Sequence, residues 1–391
     1  VENAAPVVDL NGSAGEGGNT SFSYSEGDSA TIVAPSATLS DSNNDDITSM
    51  TVTLTARPDG DATEKLALSS LAATVVDNNK DLSFDYIEST GVLLISGAAS
   101  ASVYQSILRG VTYVNTSQNP TESAREVTVV ANDGTANSQS SKVTISVSAE
   151  NDAPVLDDSK VLSLTQIDED LSSPGKDSTN NSTLVSELTT GVTDVDGDTD
   201  LGIAITAANS TEGTLWFSLD DGKQWSQVGT VSEAQALWLD ADDRLYWQPN
   251  ANTHGKVDEV LTFRATDRLL GGERGSVANN GGSSHYSSAT DTVSVTVKSV
   301  NDAPTVTAHA NYSMSGTNED TTSGETMVST LLTGVGYSDA DSGDESGIAV
   351  TSLSGNGTWQ YDAQDDDNWT DMPSVSPVSY THLTLPTKRI V

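Results

Sequence analysis

Most of the chemistry this chain could do is concentrated in its carboxylates. The densest cluster is Asp194-Val195-Asp196-Gly197-Asp198-Thr199-Asp200, with aspartates at alternate positions around a glycine. A glycine bend between alternating aspartates gathers several hard oxygens about one point. Calcium, which takes six to eight oxygen ligands at about 2.3–2.6 Å, suits such a gathering; magnesium sheds its water reluctantly and suits it less. An EF-hand is excluded, because no helical pattern flanks the segment and the twelfth position holds Ile205 instead of glutamate.

The cluster belongs to a set that recurs in order. Glu169 and Asp170 precede it, and Asp267 follows. Towards the C-terminus Glu319-Asp320 and then Asp339-Ala340-Asp341 repeat the first two members. Towards the N-terminus Glu26-Gly27-Asp28, Asp41 with Asp45 and Asp46, and finally Asp133 form a weaker version. A lone Asp-Gly is an ordinary solvated turn; recurrence of whole clusters in one order points to a bound cation. Between the sets lies a linker, Glu150-Asn151-Asp152-Ala153-Pro154, which returns as Asn301-Asp302-Ala303-Pro304 and, altered, as Glu2-Asn3-Ala4-Ala5-Pro6. Pro6, Pro154 and Pro304 stand 148 and 150 residues apart, which makes the chain a tandem array of domain-sized units.

The elements that must position these acids are strands. Short runs rich in Val, Thr and Ile alternate in polarity and are broken by Gly, Asn, Asp and Ser. Lys142 to Val147 and Thr292 to Val297 each place three β-branched residues on one face just before a linker, as the last strand of a β-sandwich would. Proline holds the linker extended and cannot join a ladder. One short helix is expected over Ser102 to Arg109. The predicted fold is all-β: tandem antiparallel β-sandwiches in an extended array.

The expected division is a linker remnant at 1–6, a first unit at 7–149, a linker at 150–154, a second unit at 155–300, a linker at 301–304 and a truncated copy of the second unit at 305–377. The copy is recognised because Gly213-Thr214-Leu215-Trp216-Phe217 aligns with Gly357-Thr358-Trp359-Gln360-Tyr361. From Val378 the repeat stops, and 378–391 looks like a translated sequencing adapter, so it carries no functional weight.

Composition sets the outer limits. The 391 residues hold 56 acidic and 17 basic side chains, a net charge of −39, and no cysteine. Such acidity opposes approach to nucleic acid or an anionic membrane. Without cysteine there are no disulfides and no thiolate metal sites. No apolar run is long enough to span a membrane.

The linker and its acids resemble cadherin-like and Ig-like Greek-key repeats, and more narrowly the Asn-Asp-x-Pro tandem repeats of very large bacterial surface and biofilm proteins exported by type I secretion, the RTX-type adhesins. The resemblance covers about 1–377. It implies calcium as cofactor, neighbouring repeats of the same chain as partners, and an extracellular or cell-surface location. The implied ligands of the joint at 150–154 are Glu150, Asn151, Asp152, Asp133 before them, and Glu169, Asp170, Asp194, Asp196 and Asp198 after them. Asn301 and Asp302 would pair with Asp267, Glu319, Asp320, Asp339 and Asp341. The linker is shorter than the cadherin one, Ala4 stands where an acid is expected, and no Gly-Gly-x-Gly-x-Asp nonapeptide occurs.

No catalytic machinery is evident. The acids sit in turns where both members of a pair would ionise, unlike a glycosidase pair. His254, His285, His309 and His382 share no metal-ligand spacing, and no phosphate loop, nucleophile elbow or dinucleotide fingerprint is present. The reading is therefore a non-enzymatic, calcium-rigidified extender of an adhesin. The alternative is a module binding glycans or a surface through Trp216 and the Leu269 to Ser288 loop, or an accessory region of a larger secreted enzyme. Trp225 is expected in the core, and Leu269 to Ser288 as a flexible hairpin loop.

Overall fold

The computed structural model describes residues 2–12, 18–157, 159–307 and 312–377, together with the backbone of 381–384 and 389–390. Strands dominate, in several sheets. The chain is a tandem of β-sandwiches, each with its own core.

The first core runs from Val8 to Val147. Its larger sheet orders Thr20–Ser25, Ser141–Ser148, Arg125–Asn132, Ile47–Leu54, Val92–Ala99 and Ser83–Ile87 side by side. The alternation read in the sequence is what buries Val143, Ile145 and Val147 while Ser146 faces water. Facing this sheet is a smaller one built from Thr31–Ile32, Val111–Asn115 and Glu64–Leu68. The expected helix is present as Ala101–Leu108, with Tyr104, Ile107 and Leu108 buried. A second helix, Ser70–Asp77, was not expected. Ser69 caps it by accepting the Ala72 N–H, and Gly110 lets the two helices meet, since a Cβ there would lie 2.4 Å from the Ala72 Cβ.

The second core runs from Leu164 to Val297. One sheet carries Asp291–Lys298, Gly255–Thr266, Gly202–Ala208 and Ala236–Leu239 in that order, and the other carries Thr183–Leu184, Arg244–Pro249, Gly213–Ser218 and Ser226–Gln227. The Leu269 to Ser288 segment is not a loose hairpin. Arg274–Gly275 extends the sheet edge beside Ala236 and Leu237, Val277 is fully buried, and Tyr286 stacks on Trp238 with ring centroids 6.2 Å apart. Apolar residues spaced among its glycines cover the outer face of the sheet.

In the third unit, among the described residues, Val328 and Leu332 of the helix Val328–Gly334 are the buried apolar residues, with Ile348, Trp359 and Tyr361 packed on them. Thr381–Thr384 pairs with Gly347–Val350, and Arg389–Ile390 pairs with Thr326–Met327 and with Tyr361 and Asp362. The expectation that 378–391 is foreign to the repeat falls partly on 378–380, 385–388 and 391, which lie outside the described residues, as does His309.

One pairing decides where the acids go. Thr20–Ser25 runs parallel to the last strand Ser141–Ser148, and Ile167–Asp168 runs parallel to Val297 and Lys298. Residues that follow these early strands therefore emerge at the C-terminal end of their unit. Residues in the hairpin that leads into the last strand, such as Asp133, sit at the N-terminal end.

Candidate metal centre at the linker

At 150–154 the linker is held by acids of the second unit. The Asp152 N–H donates to Asp196 Oδ2 at 2.7 Å, and the Asp196 N–H donates to Asp194 Oδ1 at 2.9 Å. Asn151 Nδ2 donates to Asp267 Oδ2 at 3.0 Å and to the Ser284 carbonyl at 3.1 Å. Val155 and Thr193 form a β-bridge that brings the turn against the linker. From the first unit comes Glu26, whose Oε2 accepts the Glu150 N–H at 3.1 Å; the Glu150 side chain itself is solvent-exposed.

The joint at 301–304 repeats this pattern. The Asp302 N–H donates to Asp341 Oδ2 at 2.6 Å, the Asp341 N–H to Asp339 Oδ1 at 3.1 Å, and the Val300 N–H to Glu169 Oε1 at 2.7 Å. Thr305 bridges to Ser338 as Val155 does to Thr193. Asn301 Nδ2 turns to the Asp302 carbonyl. Asp170, in the left-handed region at φ 60°, accepts the Asn252 N–H.

The structure thus changes the expected partnerships. Asp133 does not join the linker at 150–154: its Oδ2 accepts Asn3 Nδ2 at 3.0 Å, at the other end of the first unit. Glu169 and Asp170 stand at 301–304, and Asp267 stands at 150–154, each at the joint opposite to the one expected. Glu319 and Asp320 are exposed and, among the described residues, make no hydrogen bond to 301–304. The parallel strand pairing is the reason. Glu26, equivalent to Glu169, is the ligand candidate that the ligand assignment missed, and its place after Thr20–Ser25 is the signal that could have found it.

Several carboxylate oxygens here are buried without a hydrogen-bond partner: Asp152 Oδ2, Asp194 Oδ2, Asp196 Oδ1 and Asp302 Oδ2. Asp194, Asp198 and Asp267 each offer an oxygen within 4.8 Å of the others, and so do Glu169, Asp302 and Asp341. Burial lifts Glu26, Asp194 and Asp302 above their ordinary carboxylate range, and neighbouring carboxylates lift them further. Asp133 is instead held below its range, chiefly by the Ala136 N–H, with help from Asn3 and Thr135. Negative charge gathered around unpartnered oxygens, with an all-oxygen donor set, fits a hard divalent cation.

Near the N-terminus the same frame carries less charge. The Asn43 N–H donates to Asp41 Oδ1 at 2.8 Å and Asp41 Oδ2 is unpartnered, but Asn43 and Ala4 stand where Asp196 and Asp152 stand at the next joint.

Two histidines reach these acids although their spacing gave no sign of it. His285 Nδ1 lies 2.7 Å from Asp267 Oδ1, and His254 Nδ1 lies 3.3 Å from Glu169 Oε2. Trp216 is half-buried, with Nε1 donating to Gln248 Oε1 at 3.1 Å, while Leu215 on the opposite face is buried in the core. Trp225, expected in the core, is also half-buried; it donates to the Ser178 carbonyl and meets Tyr246 edge-on.

No model of a known protein family matches the chain, and no curated protein sequence matches it. Among solved structures it is similar to mouse cadherin-23 EC22–24, at 12% identity over 98% of this chain and 89% of that one, with a TM-score of 0.41. It is similar also to the protocadherin gammaB7 EC3–6 cis-dimer structure, at 14% identity over 98% and 74%, with a TM-score of 0.39. Protocadherin gamma C5 EC1–3 gives 15% identity over 94% and 90%, with a TM-score of 0.33. Likeness of this degree decides nothing about function, which has to be read from the joints themselves. Among the described residues, no helix is long and apolar enough to cross a membrane.

Proposed function

We propose that the chain is a run of calcium-clamped spacer units from a large secreted or surface-anchored bacterial adhesin, serving attachment and biofilm by spacing and display, without a catalytic step. The units are 7–149, 155–300 and 305–377. One observation carries the cation reading: at both joints the linker amide donates to the same position of an acidic turn, beside a buried carboxylate oxygen that has no partner. The bacterial and biofilm setting rests on the resemblance of the linker to Asn-Asp-x-Pro tandem repeats.

At 150–154 the ion would be held by Glu26, Asp152, Asp194, Asp196, Asp198 and Asp267, and at 301–304 by Glu169, Asp302, Asp339 and Asp341. Bound calcium would supply the positive charge that cancels repulsion among these groups. The chain's own part is to deliver acids from both units to one linker. Glu26 and Glu169 reach forward from the end of an early strand, the Asp-x-Asp turns reach back from the next unit, and the linker amides fix the turn in register. Without a cation, the same acids repel one another. Extracellular sites of this kind work at roughly 10⁻⁴–10⁻³ M, which suits millimolar calcium.

The test is isothermal calorimetry of calcium into the full chain, alone and with Asp152→Ala plus Asp194→Ala. Saturable binding that loses at least one site in the double variant is expected. Absence of binding, or binding unchanged by the substitutions, would contradict the proposal. A glycan-binding role gains no support, because Gln248 already engages Trp216 and the Leu269 to Ser288 segment is packed on its own sheet.

A further inference from the structure

The loop 116–124, between Val111–Asn115 and Arg125–Asn132, contributes no carboxylate to the cluster, yet it crosses the joint. Its base is braced from inside the first unit. Arg125, fully buried, donates to Glu64 through Nε and Nη2, to Asp59 through Nη2, and to the carbonyls of Thr121 and Ser123 through Nη1. Asp59 Oδ1 in turn accepts the Thr121 N–H at 2.8 Å. These bonds fix the loop's backbone against the sandwich before it meets anything else.

From that base the tip reaches outward. Glu122 Oε1 accepts the Ala149 N–H at 3.4 Å, and Asn119 Nδ2 donates to the carbonyls of Val195, at 3.3 Å, and Asp196, at 2.8 Å. Both acceptors on the second unit are main-chain carbonyls of the acidic turn. The bonds use no carboxylate of the cluster, so they need no cation and leave the acids free.

The joint at 301–304 is built otherwise. The equivalent loop of the second unit, 250–254, folds back on its own unit: the Asn252 N–H donates to Asp170, and His254 lies against Glu169. Among the described residues it sends no hydrogen bond into the third unit.

We infer that loop 116–124 is a cation-independent latch between the first two units, with Asn119 as its contact and Arg125 as its positioning residue. Joints of two kinds therefore follow one another in this chain: 150–154 is latched as well as acidic, while 301–304 is acidic only. Where calcium is scarce, the first two units stay aligned and the third swings. Loss of one net hydrogen bond of ordinary strength shifts such a latch by roughly 2- to 13-fold towards the released form.

The test uses the full chain, which has no cysteine of its own, with spin labels on introduced cysteine pairs. Leu71→Cys with Ala234→Cys spans the first joint, and Ala234→Cys with Asn356→Cys spans the second; all three positions are exposed. Pulsed dipolar spectroscopy in chelator should give a distance distribution at least twofold narrower across the first joint than across the second. Asn119→Ala, which removes the donor from an exposed side chain without adding a charge, should widen the first to match the second. Equal widths for the two joints in chelator, or a first joint unaffected by Asn119→Ala, would overturn the latch. The latch is separable from the calcium reading: widths that ignore calcium at both joints would sink that reading, while the Asn119 effect in chelator would still uphold the latch.

Discussion

Replacing Asp194 by asparagine should stabilise the second unit in chelator and weaken its response to calcium. Asp194 Oδ1 accepts the Asp196 N–H, a role that an amide oxygen can keep, whereas Oδ2 is buried and unpartnered. Asp194 lies within 4.8 Å of carboxylate oxygens of both Asp198 and Asp267. At that separation two unit charges repel by about 0.9 kcal/mol in a water-like dielectric and about 3.5 kcal/mol at an effective dielectric of about 20. Asp198 is exposed, so the lower figure applies to that pair, whereas the Asp267 side chain is buried and its pair lies between the two figures, so relief of both amounts to roughly 2–4 kcal/mol. At about 2–4 °C per kcal/mol, the melting temperature should rise by about 4–16 °C. In calcium the sign reverses: a hundredfold excess over Kd is worth about 2.7 kcal/mol to the wild-type chain, and each tenfold loss of affinity removes about 1.4 kcal/mol. Thermal unfolding followed by tryptophan fluorescence suits the assay, because four of the six tryptophans, 216, 225, 238 and 247, lie in this unit. A variant that melts lower than wild type in chelator, or that gains as much from calcium, would refute the reasoning.

Three further outcomes follow from the same geometry. Glu26→Gln should weaken the calcium response at 150–154 while Asp133→Asn leaves it unchanged, as read by calorimetry; the reverse order would restore the partnership expected from sequence alone. Burial pushes Asp243 from 3.8 up to about 6, so its stabilising protonation is complete below 3.8 and is lost as the pH rises through about 6. In chelator the second unit should therefore lose up to about 2.4 kcal/mol between pH 4 and pH 7, at 1.36 kcal/mol per tenfold in proton affinity, and Asp243→Asn should flatten most of that slope in urea titrations. Arg125→Met should cost the first unit about 3–5 kcal/mol by leaving buried Glu64 without its counter-charge, detectable as an earlier transition in circular dichroism.

The strand faces were legible because a period of two needs only local information: Val143, Ile145 and Val147, and Val293, Val295 and Val297, are buried as their alternation requires. The linker was legible as a repeat, and its acids as a cluster. What could not be read locally was the end of the unit at which each acid emerges. That depends on Thr20–Ser25 lying parallel to a strand more than a hundred residues away, and it is why Asp133, Glu169 and Asp267 exchange joints relative to expectation. The same non-locality hid Glu26 and placed His285 on Asp267 without any sequence spacing to announce it. The segment Leu269 to Ser288 misled through its glycines, since Val277 and Tyr286 outweigh them by finding Trp238. The helix Ser70–Asp77 was missed because its eight residues bury only Ala72 and Val76.

The central claim is that the acids stiffen the joints only when a cation joins them. Small-angle scattering of the full chain in chelator and in millimolar calcium measures this most directly. The expected result is a larger maximum dimension and a narrower distribution of shapes in calcium, with the change abolished by Asp302→Ala plus Asp341→Ala at the joint without a latch. Scattering curves that superimpose with and without calcium would contradict the account.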